Sequence, residues 1–314
     1  MNPIEDVRNT AREVAAEAEY VRIGLSGLES YAKSLPLDRI QAPELDTLHH
    51  YTGRPVDTVA FILTLDAVNF GSGYFSHLRK RHGLSGYFTV ATSLTESFRA
   101  RGPFHAEELS RITAEGCAAI FGQVMDGSPA SELMGLFAKA WNDLGQYLLA
   151  RFGGRFERLV DAADHSAARL VELLAAMPFF RDVESYKGRE VPFYKRAQLT
   201  AADLALALNG RGYGAFTDLD RLTIFADNLV PHVLRLDGVL VYDKALVERI
   251  EGGELIPAGS PEEVEIRASA VHAVELLSEI LNVRAMELDY LLWNRGQRPE
   301  YKARPRHRTR TVYY

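Results

Sequence analysis

The chain has 314 residues, and its 47% hydrophobic content is enough for a sizeable buried core. Acidic residues outnumber basic ones by 42 to 36, which gives a net charge of -6 and a pI near 5.9. This balance disfavours a protein that neutralises a long phosphate backbone and favours a small substrate over a nucleic acid polymer. The single cysteine, Cys117, excludes an intramolecular disulfide framework and a cysteine-based zinc cluster.

The N-terminal segment lacks the pattern of a signal peptide, since Glu5, Asp6 and Arg8 interrupt any apolar run. The longest compact apolar stretch, residues 59–65, is far shorter than the ~20 residues that cross a bilayer. We therefore expect a cytoplasmic protein that has no membrane partner. The sequence does not predict the oligomeric state.

Helical periodicity dominates the chain. The first apolar stripe extends to Val21, and another is continuous from Phe156 to Leu174. Caps and apolar stripes predict helix starts at several places. The predicted starts are Asn2-Pro3, Ser128-Pro129, Phe156, Thr200 and the capping box at Ser260-Pro261-Glu262-Glu263.

Strand signals are few. Residues 191–194 and 239–242 could each form a short strand, but they do not alternate regularly with helices. Glycine-rich joints such as residues 209–214 are too short for an interdomain linker. We predict a mainly α fold with at most short β segments, in a single domain over residues 1–314 that has room for two lobes around a cleft.

Two motifs lack the context that their chemistry needs. The glycine-rich run at 210–214 has neither a preceding strand nor a Lys-Ser/Thr partner, so a plain turn is favoured over a phosphate loop. His49, His50 and the residues 161–165 have no third ligand at a useful spacing. We therefore predict no metal site.

Several polar residues have two interpretations. Asn69, like Asp66, interrupts an apolar stretch and is either a core hydrogen bonder or a pocket residue. Asp227 lies in a loop before a helix, where a capping role is favoured over catalysis by the sequence alone. Lys195 and Arg196 are placed in an approach loop, where basic residues are usually solvated.

Asp289 and Trp293 are four residues apart and share one face of a predicted helix. They are either a core tryptophan with an acid at its rim or a pair that grips a heterocycle. The basic segment at 304–310 is either a solvated tail or a surface that faces a phosphate.

Many of these residues belong to longer sequence blocks. The blocks are DAVNF (66–70), SGY (85–87), FYKRAQ (193–198), TIFAD (223–227), EVEIR (263–267), LDYLLW (288–293) and HRTRTVYY (307–314). In this order they resemble a known family, the queuosine 5′-phosphate N-glycosylases or queuosine salvage proteins, and the resemblance covers nearly the whole chain. Asn228 stands where an aromatic residue is usual in that family, and residues 71–73 replace a bulkier stretch.

The resemblance implies a helical protein similar to helix-hairpin-helix DNA glycosylases. It implies hydrolysis of queuosine 5′-monophosphate to queuine and ribose 5-phosphate, in the salvage of queuine for tRNA modification. The substrate is a small molecule whose base is a 7-deazaguanine with an aminomethyl-cyclopentenediol. The reaction requires no metal and no organic cofactor.

For this chemistry we predict two catalytic residues, Asp227 and Lys195. Asp227 is the anion beside the anomeric carbon. Lys195 lies next to it and either holds Asp227 ionised or contacts the ribose and phosphate. Arg196 is predicted to bind substrate, and it stays a candidate for the 5′-phosphate together with Lys195 and the C-terminal arginines. The residues predicted to hold the base are Asp289, Phe225, Asn228, Trp293, His50 and Asn69. His49 is the less favoured alternative to His50.

Other functions remain open at this point. The chain could be a noncatalytic binding protein for queuine or a related nucleobase, or a glycosylase for another modified nucleotide. A helical nucleic acid repair protein is disfavoured by the acidic pI. The choice between the nucleoside and its 5′-monophosphate as substrate is also open.

Overall fold

The computed structural model describes residues 2–37 and 45–314. Most of these residues lie in α-helices. The helices are α1 (Pro3–Glu17), α2 (Leu25–Ser34), α3 (Pro55–Asp66), α4 (Gly86–Arg101), α5 (Ala106–Leu109), α6 (Ala114–Phe121), α7 (Pro129–Phe152), α8 (Phe156–Asp161), α9 (Ala167–Ala175), α10 (Lys195–Ala207), α11 (Val230–Leu236), α12 (Lys244–Glu251), α13 (Pro261–Leu281), α14 (Ala285–Gly296) and α15 (Pro299–Lys302).

The strands of the described residues form two antiparallel pairs. β1 (Val21–Ile23) pairs with β4 (Leu240–Tyr242), and β2 (Val183–Tyr186) pairs with β3 (Arg189–Pro192). The prediction of a mainly α fold with short β segments is therefore confirmed. The likeness to helix-hairpin-helix glycosylases stays a prediction.

Internal packing divides the chain into two compact units. Of the described residues, unit 1 comprises 2–37, Asp182–Lys195 and Asp220–Arg310, and unit 2 comprises 45–181, Arg196–Leu219 and Thr311–Tyr314. The prediction of one domain with two lobes remains a prediction.

Unit 1 is built around α13, which packs against α1, α2, α11 and α14. As predicted, Ser260 caps this helix, since its hydroxyl accepts a hydrogen bond from the Glu263 amide at 3.3 Å. The reciprocal half of the predicted capping box differs, because the Glu263 carboxylate accepts from the Gly259 amide. The buried side chains of α13 include three charged ones, Glu263, Glu265 and Arg267.

The first helix ends earlier than its apolar stripe predicts. α1 stops at Glu17, and Val21 begins β1 instead of completing the helix. The amides of Tyr20 and Val21 donate to the buried carboxylate of Glu265 at 2.6 and 3.1 Å. Because Glu265 accepts from both amides, they need no helical hydrogen bonds. This partner is distant in sequence, so the local pattern does not predict it.

The predicted helix start at Thr200 is wrong. α10 begins at Lys195, and the Thr200 hydroxyl donates to the Arg196 carbonyl inside the helix. The amide of Lys195 donates to the Asp182 carboxylate at 3.1 Å, so Asp182 satisfies one of the exposed donors of the first turn. Lys195 and Arg196 are thus helical residues and not part of an approach loop.

Unit 2 is organised by the long helix α7, which packs against α5, α6 and α8. The stripe from Phe156 to Leu174 is divided into α8 and α9, because Asp164 and His165 adopt positive φ angles of 48° and 60°. No helix of the described residues is both long and apolar enough to span a membrane.

A close contact of two helices in unit 2 gives a test of the packing. A Cβ at Gly145 of α7 would lie 2.4 Å from the Ser110 amide nitrogen and 2.6 Å from the Ala106 carbonyl oxygen. Both are backbone atoms, so Gly145→Ala should lower the free energy of unfolding by about 2 kcal/mol or more. The measurement is urea unfolding followed by circular dichroism.

Gly135 of the same helix is the matched control, since a Cβ there meets no atom within 4 Å. Gly135→Ala should raise the free energy of unfolding by about 0.5–1 kcal/mol, as alanine is the better helix former. Equal effects of the two substitutions would contradict the packing.

Candidate active site

Unit 1 contains a buried ion pair between α13 and the segment that precedes β2. The two terminal nitrogens of Arg267 donate to the two carboxylate oxygens of Asp182 at 2.9 and 2.6 Å. The side chains are 0% and 2% exposed. Arg267 also lies over the ring of Phe193, with 3.9 Å from its guanidinium carbon to the ring centroid. A bidentate pair of this kind fixes the orientation of both groups.

This ion pair holds two predicted site residues. The Nε of Arg267 donates to the Ala226 carbonyl at 3.0 Å, which fixes the loop just before Asp227. Asp182 accepts from the Lys195 amide at 3.1 Å through a carboxylate oxygen that also binds Arg267. Arg267 and Asp182 are therefore positioning residues for Asp227 and Lys195.

The side chain of Asp227 is half-buried and uses one oxygen for the backbone. Its Oδ1 accepts from the amides of Leu229 and Val230 at 2.6 and 3.4 Å, at the start of α11. Its Oδ2 accepts no hydrogen bond from any residue of the described ranges. The helix-capping and catalytic interpretations of Asp227 are thus compatible, because each oxygen can serve one role.

A second carboxylate, that of Asp289 on α14, is buried close to Asp227. Burial raises the pKa of Asp289 to about 7, and the charge of Asp227 adds to that rise. The hydrogen bond from the Phe225 amide, at 3.0 Å, and the charge of Lys195 oppose it. Two acids and one cation therefore form a coupled charge cluster, a pattern that is frequent at functional sites.

The other predicted base-binding residues of unit 1 are close neighbours of Asp227 or Asp289 along the chain or through the Phe225 amide. Phe225 is buried, and its ring meets that of Tyr290 edge to face at 6.2 Å between centroids. Trp293 lies one turn after Asp289 on α14 and is half-buried against the core of the unit. Asn228 is buried, and its side-chain amide donates to the His307 carbonyl at 3.4 Å.

The remaining predicted site residues belong to unit 2. His50 is buried, and its Nε2 lies 2.8 Å from the Tyr87 hydroxyl. Burial lowers the pKa of His50, which favours the neutral ring. Asn69 is half-buried just after α3. The roles of both residues stay predictions.

Arg196 has a different environment from the one predicted for a substrate ligand. Its Nη1 donates to the carbonyls of Asp66 and Ala67, and its Nη2 donates to those of Phe179 and Val312. These bonds engage all four hydrogens of the two terminal nitrogens. The geometry therefore favours a structural role for Arg196 within unit 2.

Arg267 and Asp182 were not predicted as site residues, although the sequence contains a signal for the arginine. Arg267 interrupts a run of small and apolar residues on α13, and a buried cation needs a partner. The identity of that partner could not be read, because Asp182 is distant in sequence. No group of three or more histidine, cysteine, aspartate and glutamate side chains in the described ranges could hold a metal ion.

The buried ion pair should dominate the stability of unit 1. Arg267→Met leaves the Asp182 carboxylate buried without its cation, so it should lower the free energy of unfolding by about 3–5 kcal/mol. Urea unfolding measures this loss.

Arg169 supplies the control, because it pairs with Glu172 at the same 2.6 Å but with side chains that are 55% and 38% exposed. Arg169→Met should cost less than about 1 kcal/mol. A similar cost for both substitutions would show that burial does not set the strength of these pairs.

Asp289 should make stability depend on pH. Because its pKa is raised in the folded protein, the contribution of Asp289 to the free energy of unfolding is fully present below about pH 4. This contribution is lost as the pH rises through about 7. Asp289→Asn keeps an acceptor for the Phe225 amide and removes the charge, so it should become increasingly more stable than the unsubstituted protein over this range.

Thermal unfolding of both proteins between pH 4.5 and 8.5 measures the difference. It should grow up to about pH 7 and then level off, as expected for a carboxyl group with a raised pKa. A difference that does not change with pH would contradict a buried, titrating Asp289.

Comparison with known proteins agrees with the resemblance found in the sequence. The family described as queuosine salvage protein matches residues 49–314. A protein of Sphaerobacter thermophilus named queuosine 5′-phosphate N-glycosylase/hydrolase is 38% identical over 98% of this chain and 97% of its own length. Proteins of the same name from Dictyostelium discoideum and Bos taurus are 33% and 30% identical, covering 100% and 98% of this chain and the same shares of their own lengths. The chain belongs to the queuosine salvage protein family.

Proposed function

We propose that this chain hydrolyses the N-glycosidic bond of queuosine 5′-phosphate and releases queuine and ribose 5-phosphate. Full-length relatives that carry the name of this activity support the substrate. The observation that carries the chemistry is the carboxylate of Asp227, which is fixed through one oxygen and keeps the other unbonded within the described residues. A preorganised anion of this kind stabilises positive charge that develops on a sugar.

The sugar is the first place where charge develops. As the bond between C1′ and the base nitrogen lengthens, positive charge spreads over C1′ and the ring oxygen. We assign the Oδ2 of Asp227 to this face of the ribose. The backbone amides of Leu229 and Val230 hold the carboxylate in place, so it needs no reorganisation as the bond breaks.

The same carboxylate orients the attacking water. The water oxygen forms the new bond to C1′, one of its protons passes to the departing base, and the other stays on the new hydroxyl of ribose 5-phosphate. Asp227 is the general base that relays the first proton. Hydrolysis then needs only water as the second reactant.

The base leaves as an anion, and a deazapurine has carbon at the position of N7 where a purine could be protonated. Interactions with the leaving group must compensate. We assign Asp289 to the N–H edge of the base and Phe225 or Trp293 to its face, which is how extruded bases are bound by other proteins. Lys195 supplies a positive charge near Asp289 that offsets the negative charge of the two acids.

The function is tested by incubating the purified protein with queuosine 5′-phosphate, queuosine and guanosine 5′-phosphate and separating the products. Queuine should appear from queuosine 5′-phosphate and no guanine from guanosine 5′-phosphate. Binding of queuine without turnover would instead indicate a nucleobase-binding protein. Release of guanine would indicate a glycosylase of wider specificity.

Asp227→Asn separates the chemical role of Asp227 from its capping role. Asparagine caps a helix about as well as aspartate, so thermal stability should change little. Loss of the charge should lower kcat by about 10³-fold or more, while binding of queuine stays measurable by calorimetry.

Asp243 offers a matched control in the same unit. It is the N-cap residue of α12, and its Oδ1 accepts from the Ala245 amide at 2.8 Å, two residues further along the chain, just as the Oδ1 of Asp227 accepts from the Leu229 amide. Asp243→Asn should leave kcat unchanged. Near-normal turnover by Asp227→Asn would remove Asp227 from the chemistry.

A further inference from the structure

The proposed substrate carries a 5′-phosphate, and the C-terminal segment of unit 1 is rich in arginine. Most of these guanidinium groups have protein partners. Arg304 pairs with Glu251 at 3.0 Å, and Arg308 donates to the Gly253 carbonyl at 2.6 Å. A cation that is engaged in this way is a poor candidate for a substrate ligand.

Arg306 is different. It is exposed, and its guanidinium makes no hydrogen bond and no ion pair with any residue in the part of the chain that the structure describes. Neighbouring protein atoms lower the pKa of Arg306, and the charge of Asp227 opposes that change, so the two charged groups act on each other.

The backbone on both sides of Arg306 is fixed. The Arg235 side chain on α11 donates to the Pro305 carbonyl at 2.8 Å. The Asn228 amide donates to the His307 carbonyl at 3.4 Å. Because Asn228 directly follows Asp227, these two bonds hold Arg306 beside the loop that carries the proposed catalytic carboxylate.

We propose that Arg306 binds the 5′-phosphate of the substrate. This inference rests on the proposed function, because it concerns the same substrate. A guanidinium group presents two parallel N–H donors that match a phosphate monoester. The phosphate and C1′ belong to one ribose, so a cation close to Asp227 is well placed for the phosphate while Asp227 faces C1′.

The position of Arg306 also answers an electrostatic problem. Asp227 must be anionic to stabilise the sugar, and an anion repels a phosphate dianion on the same ribose. The positive charge of Arg306, which acts on Asp227, offsets this repulsion. Lys195 acts on the second acid, since its charge opposes the rise of the Asp289 pKa.

The test compares two substrates that differ only in the phosphate. Arg306→Ala should lower kcat/KM for queuosine 5′-phosphate by about 10- to 100-fold, mainly through KM, because a charge-assisted pair is lost. It should change kcat/KM for queuosine by less than about threefold. Arg306→Lys keeps the charge but lacks the two parallel N–H donors of the guanidinium group. Its kcat/KM for queuosine 5′-phosphate should therefore lie between those of Arg306→Ala and the unsubstituted protein.

Arg304→Ala is the matched control, two residues away and also exposed, and it should leave both values unchanged. Calorimetry with ribose 5-phosphate and with queuine provides a readout that needs no turnover. Arg306→Ala should weaken binding of ribose 5-phosphate and leave that of queuine unchanged.

Two results would overturn the assignment. An equal loss on both substrates would mean that Arg306 acts through the charge of Asp227, and no loss on either would mean that it does not touch substrate. Failure of the unsubstituted protein to release queuine is a separate result, which would reject the proposed function. Binding of ribose 5-phosphate would still decide the role of Arg306 in that case.

Discussion

The candidate site of unit 1 depends on one buried cation. Arg267 is enclosed in the core of the unit, where a charge is tolerated only with a partner and satisfied hydrogen bonds. It obtains these from Asp182 and from the Ala226 carbonyl, and Asp182 in turn binds the Lys195 amide. Three separate segments of the chain are thereby held by one guanidinium group. Because the buried charge must be neutralised, its partners hold the loop at Ala226 and the start of α10 in place.

On this support, the candidate site contains two acids in different environments. Asp227 is half-buried, and its Oδ1 accepts from two backbone amides while its Oδ2 accepts no hydrogen bond from the residues that the structure describes. Asp289 is fully enclosed, and burial raises its pKa to about 7. Close carboxylates with different surroundings are a recurring way to obtain two functions from one residue type. In the proposed reaction the first acid stabilises the cationic ribose, and the second holds the departing base.

Local signals in the sequence predicted some of this structure and long-range ones did not. Ser128 and Ser260, each followed by proline, predicted the starts of the two long helices correctly because a cap is a local device. The end of α1 was missed, since Glu265 supplies its partner from the opposite part of the sequence. Asp227 was correctly placed before a helix, and family resemblance suggested its role. Arg306 could not be singled out by sequence, because its neighbours in the basic segment differ from it only in their partners.

The central claim is that the unbonded oxygen of Asp227 faces C1′ of the bound nucleotide. A crystal structure of the Asp227→Asn variant with uncleaved queuosine 5′-phosphate tests it most directly. We predict that a side-chain atom of residue 227 lies about 3–3.5 Å from C1′, the separation expected for groups poised to react. A complex in which this side chain only caps α11 and C1′ lies against other residues would contradict the account.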